Sequence, residues 1–212
     1  MKLETLLTGL SFGEGPRWRD GKLWYSDFYV HQVGTVDESG KAETIVEVPG
    51  RPAGLGWRPD GTMLIVSMTD RRLMRFAGGK LSVEAELSSI ATGYCNDMIV
   101  DARGRAYVGN FGFDRHAGEK PRAAVLARVD PDGSVHRAAD ELMFPNGTVI
   151  TPDGRTMIIG ETFAKRLTAY DIAADGTLSN RRVWAETPLV NPDGICLDAE
   201  GGIWVTGAFT HH

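Results

Sequence analysis

The chain is expected to be all-β, and within that class a β-propeller. Three observations carry the expectation: a high glycine content, short strand-like runs with no convincing helical period, and a turn motif that recurs five times. Glycine accounts for 26 of 212 residues, against a typical ~7%, and it is scattered rather than confined to one tract. Frequent tight turns follow. Apolar alternation or β-branched runs mark strands at Thr44 to Val48, Met63 to Ser67, Leu81 to Leu87, Ala124 to Val129 and Leu167 to Ile172.

The recurring turns are Asp20-Gly21, Asp60-Gly61, Arg103-Gly104, Asp153-Gly154 and Glu200-Gly201, with glycine spacings of 40, 43, 50 and 47. Such periods belong to propeller blades. A strand follows each turn: Leu23 to Ser26, Met63 to Ser67, Ala106 to Gly109, Met157 to Gly160 and Ile203 to Thr206. A second turn then closes an outer hairpin at Ser39-Gly40, Gly78-Gly79, Asp132-Gly133 and Asp175-Gly176. One such unit cannot bury both faces of its sheet and must pack between neighbours, which arranges the units radially. A β-sandwich of similar composition competes, but it gives no reason for a sequence pattern to recur at this period. Residues 1–212 read as a single domain of about five repeats. An open ring would expose sheet edges and favour self-association.

With 28 acidic residues against 23 Lys plus Arg, the formal net charge is −5. There is no basic footprint for nucleic acid or anionic membrane. No run approaches the roughly 20 apolar residues of a membrane span, and MKLETLLTGL lacks the features of a secretory signal. Cys95 and Cys196 stand far apart with no CxxC spacing, which points to a reducing compartment and a cytoplasmic location.

The repeat also selects candidate functional residues. Eight positions before the turn glycine stand Ala53, Asn96, Asn146 and Asp193, and Glu14 stands seven before a shorter turn. In a propeller these equivalent positions converge at one mouth of the central channel. Each polar one is set among small residues: Gly13-Glu14-Gly15-Pro16, Cys95-Asn96-Asp97, Pro145-Asn146-Gly147 and Pro192-Asp193-Gly194. Taken singly, each is ordinary turn punctuation. Taken together, two carboxylates and two carboxamides at one point would repel and desolvate each other unless a cation were bound. An all-oxygen set suits a hard divalent ion, Ca2+ first, with Mg2+ or Mn2+ as alternatives and Zn2+ a less natural one.

These motifs, together with Thr151-Pro152-Asp153-Gly154-Arg155 and Gly202-Ile203-Trp204-Val205, resemble the gluconolactonase/regucalcin (senescence marker protein) lactonase family over nearly the whole chain. The resemblance implies a six-bladed propeller that hydrolyses a sugar-type lactone or related ester with one divalent metal at the channel mouth, so that with about five repeats the chain is expected to be truncated, its C-terminal blade missing and its ring open. It implies that Glu14, Asn146 and Asp193 hold the metal, that Asn96 lies on the substrate or water side, and that Asp97 is a substrate-contacting acid. Tyr94 stands where sugar lactonases of the family often carry an arginine. Asp193 is the candidate general base.

Other residues carry weaker expectations. Glu161 is either a further group in the mouth or an exposed strand-end carboxylate. Ser26, Asp27, His31, His116 and His136 form no Gly-x-Ser-x-Gly elbow, so serine hydrolase chemistry is unsupported. Residues 111–122 are a long excursion suited to a lid, and Trp18, Trp57 and Trp204 are expected to pack between blades. The terminal His211-His212 pair is a natural end or a tag remnant. Two other functions compete with the enzyme: a non-catalytic propeller that binds calcium or a protein, and an inactive fragment of a lactonase.

Overall fold

The computed structural model describes residues 4–114 and 117–209. His116, His211 and His212 lie outside them. Among the described residues, eighteen strands form four four-stranded antiparallel sheets and one two-stranded sheet, each a simple meander. The first is β1 (Gly13–Arg19), β2 (Lys22–Asp27), β3 (Gln32–Asp37) and β4 (Ala42–Glu47); the second is β5 (Pro52–Trp57), β6 (Met63–Ser67), β7 (Arg72–Ala77) and β8 (Lys80–Glu86). The third is β9 (Cys95–Val100), β10 (Ala106–Asn110), β11 (Ala124–Val129) and β12 (Val135–Leu142); the fourth is β13 (Pro145–Ile150), β14 (Thr156–Glu161), β15 (Arg166–Ile172) and β16 (Leu178–Glu186). The fifth holds β17 (Pro192–Leu197) and β18 (Ile203–Gly207). Among the described residues there is no helix long and apolar enough to cross a membrane.

The first strands β1, β5, β9, β13 and β17 contact one another in succession, so the sheets are blades around a common axis. Each recurring turn glycine adopts positive φ between the first and second strands of its blade, at Gly21, Gly61, Gly104, Gly154 and Gly201. The expected strands and turns therefore fall where the repeat placed them.

One hydrophobic cluster fills each blade interface. Period-two alternation sends neighbouring residues of a middle strand to opposite faces. In β6, Met63 and Ile65 pack toward blade one with Val33, Leu55, Trp24 and Trp57, while Leu64 and Val66 pack toward blade three with Met98, Val108 and Ala127. In β14, Met157 and Ile159 meet Tyr107 and Leu126, and Ile158 joins Leu167 and Ala169 against Ile195 and Val205. Such strands are buried on both faces, which explains why they read as continuous apolar runs. Deleting a fully buried side chain such as Leu64 would cost about 2–5 kcal/mol.

The tryptophans divide. Trp57 packs edge-on to Trp24 across the first interface at 5.2 Å, with the Arg19 guanidinium 5.1 Å over its ring. Trp18 and Trp204 are 57% and 68% exposed, contrary to the expected inter-blade role. Trp18 pairs with Leu23 and Trp204 stands between Ile203 and Val205, so both lie on the sheet faces opposite the clusters shared with blades two and four, and among the described residues no further sheet covers them. Cys95 is buried, Cys196 is exposed, and both are free thiols; burial pushes the Cys95 thiol up to about 12, which leaves it inert.

Candidate active site at one end of the channel

Glu14, Ala53, Asn96, Asn146 and Asp193 are each the second residue of their blade's first strand. The pairing register with the second strand breaks at this place in all five blades: after Glu14, between Pro52 and Leu55, between Cys95 and Met98, between Pro145 and Thr148, and between Pro192 and Ile195. A bulge of this kind frees a residue from the ladder and re-aims its side chain. The repeat of the bulge is what turns five sequence-distant positions toward one axis.

In four of the five blades a glycine follows, and it lets neighbouring first strands approach closely. A Cβ on Gly54 would lie 2.5 Å from Met98 N in the next blade's first strand, and one on Gly147 would collide with the Asp193 carbonyl. Neighbouring first strands are thus drawn together closely enough to exclude a side chain.

Asn96 Nδ2 donates to Asn146 Oδ1 at 2.9 Å, and Asn146 Nδ2 donates to Asp193 Oδ1 at 2.7 Å. Thr162, fully buried, accepts from Asn146 Nδ2 at 3.2 Å and donates to the Pro192 carbonyl at 2.7 Å. Glu14, Asn96, Asn146 and Asp193 line one cavity of about 420 Å3. Glu14, Asn146 and Asp193 also line a second cavity of about 450 Å3 that runs down between β1 and β17. Burial, then the charges of Asp193 and Asp97, push the Glu14 carboxyl up to about 7, against an opposing backbone hydrogen bond at Gly15. The Asp193 carboxyl is also raised, by burial and then by Asp97, with the Asn146 hydrogen bond pulling the other way.

Among the described residues no Lys or Arg forms an ion pair with Glu14 or Asp193: Arg17 pairs with Asp97, and Arg51, which lines the same cavity, lies over the rings of Phe28 and Tyr29. Two half-buried carboxylates without a counter-charge are costly, and a divalent cation would relieve both at once. The oxygens lining the cavity are of the hard type: two carboxylates and two carboxamides, and since no group of three His, Cys, Asp or Glu converges among the described residues, a cation here would need a carboxamide oxygen beside the two acids.

The other sequence candidates are distributed as follows. Tyr94 lines the first cavity beside Asn96. Asp97 lines the second cavity, where Arg17 donates to its Oδ1 at 2.8 Å and to the Met98 carbonyl at 2.9 Å. Its place is that of a tie between blades one and three. Glu161 corrects both readings given above: it is fully buried and points away from the mouth, bound by Arg166 at 2.9 Å, Thr168, and the Met143 N–H at 2.7 Å. Ser26 Oγ donates to the Ala53 carbonyl and Asp27 accepts from the Ser11 and Phe12 N–H groups, both structural roles. His31 donates to the Pro49 carbonyl and His136 lies beside Asp130. Of the long excursion, Phe111 lines the first cavity and Phe113 is buried.

Sequence reasoning missed most of the first cavity's wall. It comes from two further sets of equivalent positions: Phe12, Arg51, Tyr94 and Phe144, each two residues before the axis position, and Phe28, Met68, Phe111 and Ala208, each directly after the second strand. The same counting from the turn glycines would have found both sets.

Fold and cluster define a β-propeller with a carboxylate and carboxamide site at one end of its channel. The sequence profile of the SMP-30/gluconolactonase/LRE-like region matches residues 12–211, and the chain belongs to that family. A pentonolactonase from Haloferax volcanii is 31% identical over 206 residues, covering 93% of this chain and 67% of the relative. Among solved structures, a gluconolactonase from Xanthomonas campestris superposes with a TM-score of 0.81 at 25% identity, covering 96% of this chain and 72% of that one. A calcium-binding regucalcin from Agrobacterium tumefaciens superposes with a TM-score of 0.78 at 26% identity, covering 93% and 68%. The chain spans about two thirds of the length of the curated relatives it matches.

Proposed function

We propose that the chain is a metal-dependent hydrolase that opens a lactone or a related carboxylic ester. The observation that carries the reading is that Glu14, Asn146 and Asp193 line one cavity, with no ion pair among the described residues reaching either acid. Membership in a family whose relatives include a pentonolactonase and a gluconolactonase supports the substrate class. The likeness to a calcium-binding regucalcin supports Ca2+ as the ion.

Glu14, Asn146 and Asp193 would hold the cation. When bound, it supplies a Lewis acid toward the ester carbonyl and makes a water molecule more acidic. The chain's own groups do the rest. Asp193 Oδ1 is held by Asn146, which leaves Oδ2 to take the proton of the attacking water. As the ring C–O bond breaks, Asp193 returns that proton to the leaving oxygen and the product is a hydroxy acid. Asn96 and Tyr94 orient the substrate above, and Asp97 acts through Arg17 on the position of β9.

The test is a panel of five- and six-membered lactones assayed after chelation and after Ca2+ is restored, with calorimetry of Ca2+ binding alongside. Hydrolysis lost with chelator and regained with metal is the expected result. Stoichiometric binding without hydrolysis of any lactone would leave a calcium-binding propeller. A folded protein that binds no divalent ion would overturn the reading altogether.

A further inference from the structure

We propose that the site prefers lactones bearing an apolar aryl or medium-length alkyl substituent over hydroxyl-rich aldonolactones. This rests on the hydrolase reading and names its substrate class. The evidence is the contrast between the floor and the wall of the first cavity. The floor is polar, made by Glu14, Asn96, Asn146 and Asp193, whereas seven of the fourteen lining residues are aromatic and lie around it.

The wall has two layers. In the layer two residues before the floor positions, Phe12, Tyr94 and Phe144 supply three of the four lining side chains. In the layer after the second strands, Phe28, Met68, Phe111 and Ala208 are all apolar. The rings form a connected, ordered surface: Phe111 stacks on Phe144 at 4.4 Å, Phe144 meets Phe163 at 5.1 Å, and Phe163 stacks parallel to Phe209 at 6.3 Å. On the other side, Phe28 meets Tyr29 edge-on at 4.6 Å. Arg51, the one cation lining this cavity among the described residues, is held over the rings of Phe28 and Tyr29 at 5.5 and 5.2 Å.

An aldonolactone carries hydroxyls around its ring, and each that turns from water toward a phenylalanine loses a hydrogen bond. An aryl or alkyl substituent in the same place gains contact with rings that need not reorganise. The exposed rings point the same way, since Phe12, Tyr29 and Phe209 are 48%, 54% and 54% exposed and all line this cavity, with Phe12 edge-on to Tyr29 at 5.8 Å. Exposed rings that line a cavity offer apolar surface to a ligand.

The test compares 3,4-dihydrocoumarin, γ-nonalactone and D-glucono-1,5-lactone with Ca2+ present. Water adds to the carbonyl carbon, the ring C–O bond breaks, and an indicator follows the proton released by the hydroxy acid. Discrimination of about 10-fold or more in kcat/KM toward the apolar lactones is expected. Phe12→Ser and Phe209→Ser, both at exposed positions and checked for an unchanged Tm, should erode that preference by raising KM for dihydrocoumarin only. Calorimetry with 2-tetralone, a non-hydrolysable ketone of the same shape, against myo-inositol reads binding apart from chemistry. Preferred hydrolysis of the gluconolactone overturns the substrate class and leaves the hydrolase reading standing. Binding of 2-tetralone, weakened by Phe12→Ser, without hydrolysis of any lactone supports the wall assignment and rejects the hydrolase. No binding of 2-tetralone and no preference among the lactones overturns the proposal.

Discussion

Asn146 donates from Nδ2 to Asp193 Oδ1 at 2.7 Å, joining residues 47 positions apart across a blade boundary. The same side chain accepts from Asn96 at 2.9 Å and is buttressed by Thr162. One carboxamide therefore fixes the orientation of the carboxylate assigned as base.

Asp193→Asn removes the base and one metal-binding oxygen while keeping the shape. Hydrolysis is expected to fall by about 10²- to 10⁴-fold. Because Asp193 raises the Glu14 carboxyl, the metal-free variant should melt no lower than the parent. Lactonase rates and thermal melts in chelator check the two halves separately.

Metal-free protein is expected to lose stability as pH rises. Glu14 titrates near 7 in the fold against an ordinary 4.5, so the folded state holds its proton more tightly than the unfolded state does. The stability is fully present below about 4.5 and declines as pH climbs to about 7, by roughly 3 kcal/mol at about 1.4 kcal/mol per unit. Asp193 shifts in the same direction and adds to the slope. Glu14→Gln should flatten the profile, and Ca2+ at 100 times its Kd should restore about 2.7 kcal/mol to the parent and far less to the variant. Urea melts from pH 4.5 to 8 with and without Ca2+ measure this.

Arg17 and Asp97 should behave as a coupled pair. Either Arg17→Gln or Asp97→Asn is expected to cost about 1–3 kcal/mol, and the double variant less than the sum. If the pair only ties β1 to β9, KM changes by less than about 3-fold. A much larger KM effect from Asp97→Asn than from Arg17→Gln would make Asp97 a substrate contact.

Glu161 should matter for stability rather than chemistry. Burial raises its carboxyl, but Arg166, Thr168 and the Met143 N–H outweigh that and hold it below the ordinary value. Its contribution is therefore present above about 4.5 and lost as pH falls, the reverse of Glu14. Glu161→Ala leaves Arg166 and Arg181 without their shared acid and is expected to cost about 3–5 kcal/mol. Metal binding at equal folded fraction should be unchanged, as calorimetry below the Tm would show.

Strand order and blade boundaries were legible because Asp-Gly turns and period-two alternation are local properties, copied in every repeat. The axis residues were legible for the same reason, since Glu14, Asn96, Asn146 and Asp193 hold one place in the repeat. Glu161 was not, because a strand-end carboxylate reads the same whether it meets water or the arginines of β15 and β16. Trp18 stands just before its turn as Trp57 does, and Trp204 just after its turn as Trp24 does, yet it is Trp24 and Trp57 that meet across a blade interface while Trp18 and Trp204 are exposed.

By itself the sequence determined the repeat, and with it which residues share an angular position and a depth in the fold. The tertiary structure alone decided what each of those residues faces. Bulges in the first strands aim the acids and carboxamides inward, glycines let neighbouring strands close around them, and the next blade supplies or withholds a partner. Burial and counter-charge arise from contacts between distant segments, so a carboxylate's surroundings exist only once the blades have assembled.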